Sequence, residues 1–213
     1  MILGTFLETI LPADCPACDE PLGDHAGGIC MACWSELSMR PGGWRQDAVV
    51  TLGPYAGRLR KVIRCLKFSG LTAVAGGLGE RLARELPEGP REIEMVVPVP
   101  LHRLRRWRRG YNQAELIAAS VARALERPVA PRALSRRRAT ASQRGRTRRQ
   151  REANVRGAFH AADERVRGMS ILLVDDVVTT GATLAECARA LEQGGAAAVR
   201  VAAVARTVSR IDT

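Results

Sequence analysis

A chain of 213 residues fits one domain of ordinary size, or one such domain with a small appendage. An apolar share of 46% excludes a disordered tail-like protein, and an aromatic share of 4% makes the core mainly aliphatic. The formal charge of +11 argues against a protein without an anionic partner.

In chain order, "MILGTFLETILPADC" is apolar but has no basic leader, carries Glu8 and reaches Pro12, so it reads as an amphipathic helix. No run approaches membrane-spanning length, and a cytoplasmic protein with reduced cysteines is expected. Next come two CxxC pairs, Cys15 with Cys18 and Cys30 with Cys33. Each pair can present two thiolates to one metal from a tight turn, and together they close a tetrahedral structural zinc site. Disulfides belong to oxidising compartments, and a redox CxxC needs only one pair. His25 lies between the pairs and reads as a spare, exposed residue; Cys65 and Cys187 read as buried bystanders. "RPGGW" (Arg40 to Trp44) reads as a linker, which divides the chain into a zinc module at 1–42 and a larger domain at 43–213.

The larger domain alternates. "DAVVTLGPY" reads as a strand, and "GRLRKVIRCLKF" and "AGGLGERLAREL" as helices; "EMVVPVP" (Glu94 to Pro100) reads as a buried strand stopped by prolines. On the first helix Arg60, Lys61, Arg64 and Lys67 share one basic face, with Lys67 a candidate nucleic-acid contact beside the plainer reading of a solvated face. Between Leu101 and Arg151 sixteen arginines face two acids, Glu115 and Glu126. Within that section "RLRRWRRGYNQ" interleaves Arg105, Arg106, Arg108 and Arg109 with Trp107 and Tyr111. Guanidinium groups pair with phosphates while aromatic rings stack on bases, a combination suited to single-stranded nucleic acid. Tyr111 to Leu125 has helical spacing, whereas Arg136 to Phe159 shows no apolar period and reads as an exposed loop. Finally "SILLVDDV", "GATLAECARALEQGG" and "AVRVAAVART" form a strand–helix–strand unit and hence a parallel sheet in an α/β domain.

In "ILLVDDVVTTGAT" the two acids Asp175 and Asp176 fall at the carboxyl end of an interior strand, where open parallel sheets bind ligands. Thr179, Thr180, Gly181, Ala182 and Thr183 follow at a helix start, where unpaired amides and the helix dipole favour a phosphate. Carboxylates for hydroxyls and a phosphate cradle a few residues on suit a ribose 5-phosphate. Helix capping alone needs one such residue, not two acids and three threonines.

This stretch resembles the phosphoribosyl-pyrophosphate (PRPP) signature of type I phosphoribosyltransferases. The resemblance implies ribose-binding, catalytic acids at Asp175 and Asp176, a phosphate loop at Thr179–Thr183, and Mg²⁺ with PRPP. It also implies a pyrophosphate loop at Val99, Pro100, Leu101 and His102 with Arg103 nearby, against the plainer reading of a proline-stiffened strand exit. Together with "VVPVPLHRLRRWRRGYNQAELIA", "RREANVRGAF" and the four cysteines, the chain resembles the ComF family. These are phosphoribosyltransferase-like proteins with a zinc-binding N-terminus, linked to natural competence and DNA uptake. That implies a type I phosphoribosyltransferase-like parallel sheet flanked by helices, single-stranded DNA as ligand and a helicase-like competence protein as partner. An active phosphoribosyltransferase with an unidentified acceptor is the alternative. A PRPP-sensing repressor would need a helix-turn-helix, and none is evident.

Overall fold

The computed structural model describes residues 14–22, 27–37, 49–87, 92–137, 153 and 155–207, and of 44–46 the backbone. The N-terminal helix, His25, most of the expected linker and the centre of the arginine-rich loop lie outside the described residues.

A five-stranded sheet runs in the order β1-β2-β7-β6-β3. Its strands are β1 (Trp44–Gln46), β2 (Val49–Pro54), β3 (Met95–Pro98), β6 (Ser170–Val178) and β7 (Ala198–Arg206). β1 is antiparallel to β2, and the other four strands are parallel to one another. Strands covered on both faces need continuous apolar runs. Met95–Pro98 is such a run, and so is Ile171–Val174.

Each face of the sheet has its own core. On one side α2 (Gly57–Phe68), α3 (Val74–Arg84) and α5 (Gln113–Ala124) bury Leu66, Leu78 and Ile117 against Leu172, Val174 and Val204. Gly79 is needed where α3 crosses α5, since a Cβ there would come within 2.5 Å of the Ser120 Cβ. On the other side α6 (Ala182–Gln193) buries Cys187 and Leu191 against Ile171 and Leu173. The strand–helix–strand unit expected from residue 170 onward is present as β6–α6–β7.

Two elements depart from the sequence reading. The segment read as a loop from Arg136 begins and ends in a two-stranded hairpin, β4 (Leu134–Arg136) with β5 (Phe159–Ala161), which packs on α6. Val155, Ala158 and Phe159 are buried there, although too few apolar positions recur to give the segment a visible period. In addition, Arg103–Arg109 forms a short helix, α4, with no buried residue. Gly110 at φ 82° ends it in a left-handed turn that glycine adopts without strain.

The cysteine-rich segment is sealed into the main core. Cys15, Ile29, Cys33 and Trp34 belong to the same apolar cluster as α2, α3 and the sheet. Trp34 belongs to α1 (Met31–Leu37); Gly77 of α3 makes room for its ring, and the Arg81 guanidinium lies 4.2 Å from the ring centroid.

Candidate phosphoribosyl-binding cleft and zinc site

The carboxyl ends of the parallel strands open into a cleft of about 870 Å³. Its floor is the tip of β6. Side chains alternate along a strand, so the two neighbouring acids leave β6 on opposite faces of the sheet. Asp176 continues the Leu172–Val174 row toward α2, and the Lys67 ammonium lies 2.8 Å from its Oδ1. Asp175 continues the Ile171–Leu173 row toward α6 and the hairpin, where Cys187 and Arg136 feel its charge. Both acids nevertheless line the same cleft, because the strand ends there.

The pair is electrostatically loaded. Burial first, then repulsion from Asp176, pushes the Asp175 carboxyl up to about 7; the Asp176 amide, donating to Asp175 Oδ1 at 2.8 Å, together with Lys67 and Arg136 offsets part of that rise. Asp176 is 4% exposed, and its Oδ2 has no hydrogen-bond partner among the described residues. A buried acceptor without a partner is costly.

Beyond β6 the chain turns through Thr179 and Thr180 to Gly181, which caps α6 at φ 77° without a side-chain cap bond. A Cβ on Gly181 would meet no atom within 4 Å, so space remains over the start of the helix. The first turn of α6 therefore offers its amides and positive dipole end beside the acids. Thr179, Gly181 and Thr183 line the cleft. Thr180 and Ala182 are not in the lining; they brace the turn through an Ala182 amide contact to Thr180 Oγ1 at 3.5 Å.

The opposite wall comes from the exit of β3. Val99, Pro100 and Leu101 line the cleft, and the Val99 amide bonds the Val174 carbonyl at 2.9 Å. His102 and Arg103 do not line it. His102 caps α4, with Nδ1 accepting from the Leu104 amide at 3.3 Å. Asn112 fixes the wall by donating to the Val99 carbonyl at 3.0 Å while capping α5 through the Ala114 amide.

Of the arginine–aromatic tract, Arg105, Arg108, Arg109 and Tyr111 line the cleft. Arg106 pairs with Glu115 at 3.0 Å, and Trp107 is 82% exposed. Lys67 was expected on a basic helix face with Arg60, Lys61 and Arg64, but its ammonium turns inward to Asp176. The tertiary fold is responsible: the Tyr111 hydroxyl donates to the Leu66 carbonyl and holds the end of α2 over the strand tips. The sequence reading did not single out Arg136, Tyr55, Phe68, Asn112, Gln113 or Thr207, all of which also line the cleft. They sit at element ends with no local pattern to mark them.

The four cysteines converge at a second place, and none of them lines the cleft. Their sulfurs lie within 4.8 Å of one another, with Cys15 to Cys33 at 3.7 Å and Cys18 to Cys30 at 3.6 Å. A tetrahedral zinc with bonds of about 2.3 Å needs sulfur–sulfur edges of about 3.8 Å, so the donor set fits. Burial raises the Cys15 thiol, but amides of Cys30 and Ala17 outweigh it and leave it at about 7; burial and the neighbouring sulfurs push Cys33 up. Four thiolates leave no open coordination position, which makes the site structural.

Comparison with known proteins agrees with this division. Residues 112–212 match the phosphoribosyl transferase domain and residues 6–43 the double zinc ribbon domain. The chain is 37% identical over 199 residues to the DNA utilization protein YhgH of Escherichia coli (strain K12), covering 91% of this chain and 84% of that one. It is 32% identical over 167 residues to competence protein F of Haemophilus influenzae, covering 75% and 73%. Among solved structures, glutamine PRPP amidotransferase from B. subtilis superposes with a TM-score of 0.45 at 24% identity, over 62% of this chain and 26% of that one. A helix-flanked parallel sheet with a phosphoribosyl transferase match, preceded by a four-cysteine ribbon, and full-length relatives above 30% identity place this chain in the ComF family.

Proposed function

We propose that the cleft binds PRPP or another 5-phosphoribosyl ligand, and that the protein binds single-stranded DNA and acts in DNA uptake during natural competence, in the cytoplasm. One observation carries the ligand reading. The acid pair, the uncapped start of α6 and a wall of arginines meet in one cleft large enough for a small anion. The acids accept the ribose hydroxyls, the turn at Thr179–Thr183 receives the 5′-phosphate, and Arg105, Arg108 and Arg109 face the pyrophosphate. Mg²⁺ would come with PRPP, where it neutralises charge on the phosphate oxygens.

The DNA reading rests on α4, where five arginines, Leu104 and Trp107 stand on a helix that buries nothing. The exposed indole offers a stacking surface and the arginines a phosphate track. The names of the E. coli and H. influenzae relatives favour the same setting. A helicase-like competence protein is the partner this reading implies.

A second reading, phosphoribosyl transfer to a nitrogen or other nucleophile with release of pyrophosphate, is favoured by one feature. Both tyrosines of the chain and one of its three phenylalanines line the cleft, and the Arg109 guanidinium lies 5.4 Å from the Phe68 ring centroid. Such walls accept a flat acceptor. In that case Asp175 and Asp176 stabilise positive charge developing on the ribose, and the fixed walls orient the nucleophile.

Calorimetric titration with Mg–PRPP tests the ligand reading. Hydrogen bonds to charged groups contribute about 1.5–3 kcal/mol each, so Asp175→Asn with Asp176→Asn should weaken binding by about 100-fold or more. Unchanged affinity in the folded double variant refutes the ribose-acid assignment. Pyrophosphate release on adding single-stranded DNA, measured in the same samples, separates transfer from binding.

A further inference from the structure

The two lysines of this chain have opposite fates. Lys61 makes a surface pair with Asp19 at 3.6 Å, both side chains being well exposed. Lys67, six residues on in the last turn of α2, makes a buried one with Asp176 at 2.8 Å. Removing one partner from a buried pair leaves an uncompensated charge, so the lysine is not an interchangeable surface residue. Its contact is also one-sided: the ammonium takes Oδ1 of Asp176, and Oδ2 stays buried without a hydrogen-bond partner among the described residues. The carboxylate, which belongs to the cleft lining, is thus oriented through one oxygen.

Resting on the reading of the cleft as a ribose-hydroxyl site, we propose that Lys67 is a positioning residue: through its 2.8 Å contact with Oδ1 it holds the Asp176 carboxylate in register, so that the acid pair meets the ribose hydroxyls. No ligand contact by Lys67 itself is required. The other charged or titratable groups lining the cleft are Asp175 on β6, Tyr55 after β2, Arg136 on β4, Arg105, Arg108 and Arg109 on α4, and Tyr111 before α5. Of these, Asp175 is pushed up by burial and by the like charge of Asp176. Lys67 from the α2 face and Arg136 from the hairpin face both pull it back down. The sign follows. Without the ammonium, the acid pair retains a shared proton to higher pH, and the protonated acceptor binds a hydroxyl less well.

The test compares wild type, Lys67→Met and Lys67→Arg, with Lys67→Gln, which keeps a polar tip, if the methionine variant does not fold. Mg–PRPP affinity is measured by calorimetry from pH 6 to 9, and the carboxylates of the ligand-free proteins are titrated by carbon-13 NMR. The uncharged variant should bind about tenfold or more weakly at pH 7, recover toward pH 9, and show carboxyl titration displaced to higher pH. Arginine should restore both. The second ionisation of a phosphate ester, near pH 6, is shared by all the proteins and cancels in the comparison. An uncharged variant with wild-type melting, affinity and carboxyl titration overturns the proposal. So does one that only lowers the salt dependence of DNA binding, which would make Lys67 a nucleic-acid contact. If wild type itself does not bind PRPP, the ligand reading falls, and the NMR titration alone decides whether Lys67 acts on the acid pair.

Discussion

Two regions of this protein crowd groups that ionise to anions, and they resolve the conflict differently. The four thiols at Cys15, Cys18, Cys30 and Cys33 surround a point that one cation satisfies completely. The two carboxylates at the tip of β6 have partial counter-charges, Lys67 and Arg136, and keep one buried oxygen without a partner. A closed polyhedron is a structural device, because nothing further can bind. An incompletely satisfied pair stores a cost that a bound donor could relieve, which is what the proposed ligand site requires. The contrast also separates the groups by consequence: the thiols hold the fold together, whereas the acids work against it.

The largest expected effect lies on the zinc side. Because the ribbon shares its core with α2, α3 and the sheet, chelation or Cys33→Ser should destabilise the whole chain. At about 3 °C per kcal/mol for a protein of this size, the melting temperature should fall by about 10 °C or more in calorimetry. A small early transition with the main one unmoved would show that the ribbon is a detachable module.

The acid side should move the other way. The raised Asp175 carboxyl means that the native state holds a proton the unfolded chain has released between its ordinary value of 3.8 and about 7, so stability falls as pH rises through that window. Asp175→Asn should therefore melt about 5 °C higher than wild type at pH 8, with the gap closing toward pH 4. An asparagine variant less stable than wild type at pH 8 would break the comparison.

The smallest effect concerns the outer surface. Arg105 and Arg108 stand on α4, which buries nothing, so neutralising both should reduce the log–log salt slope of single-stranded DNA binding by about 0.7 per lost phosphate contact. Because Arg106 already pairs with Glu115, its replacement should change the slope less. Equal slopes in all variants would remove α4 from the DNA-binding surface.

Much of this was written locally. Period and punctuation revealed β6, α6 and β7, since "ILLV" is apolar on both faces and Gly194 and Gly195 stop the helix. The cysteine spacing announced a four-sulfur site, and "DDVVTTGAT" announced acids beside a helix start. Less legible were α4 and the β4–β5 hairpin. A helix that buries nothing leaves no apolar stripe, and three-residue strands are too short for a period.

The sequence by itself determined which chemistry is present, because residue type and near-neighbour spacing suffice to bring sulfurs, acids and helix amides within reach. Only the tertiary structure decided the partners. The turning of Lys67 to Asp176 spans 109 positions and depends on how α2 lies across the strand tips, with Tyr111 holding its end. Arg136 reaches Asp175 because the hairpin packs on α6. Charge pairing between distant segments follows packing, which no local pattern encodes.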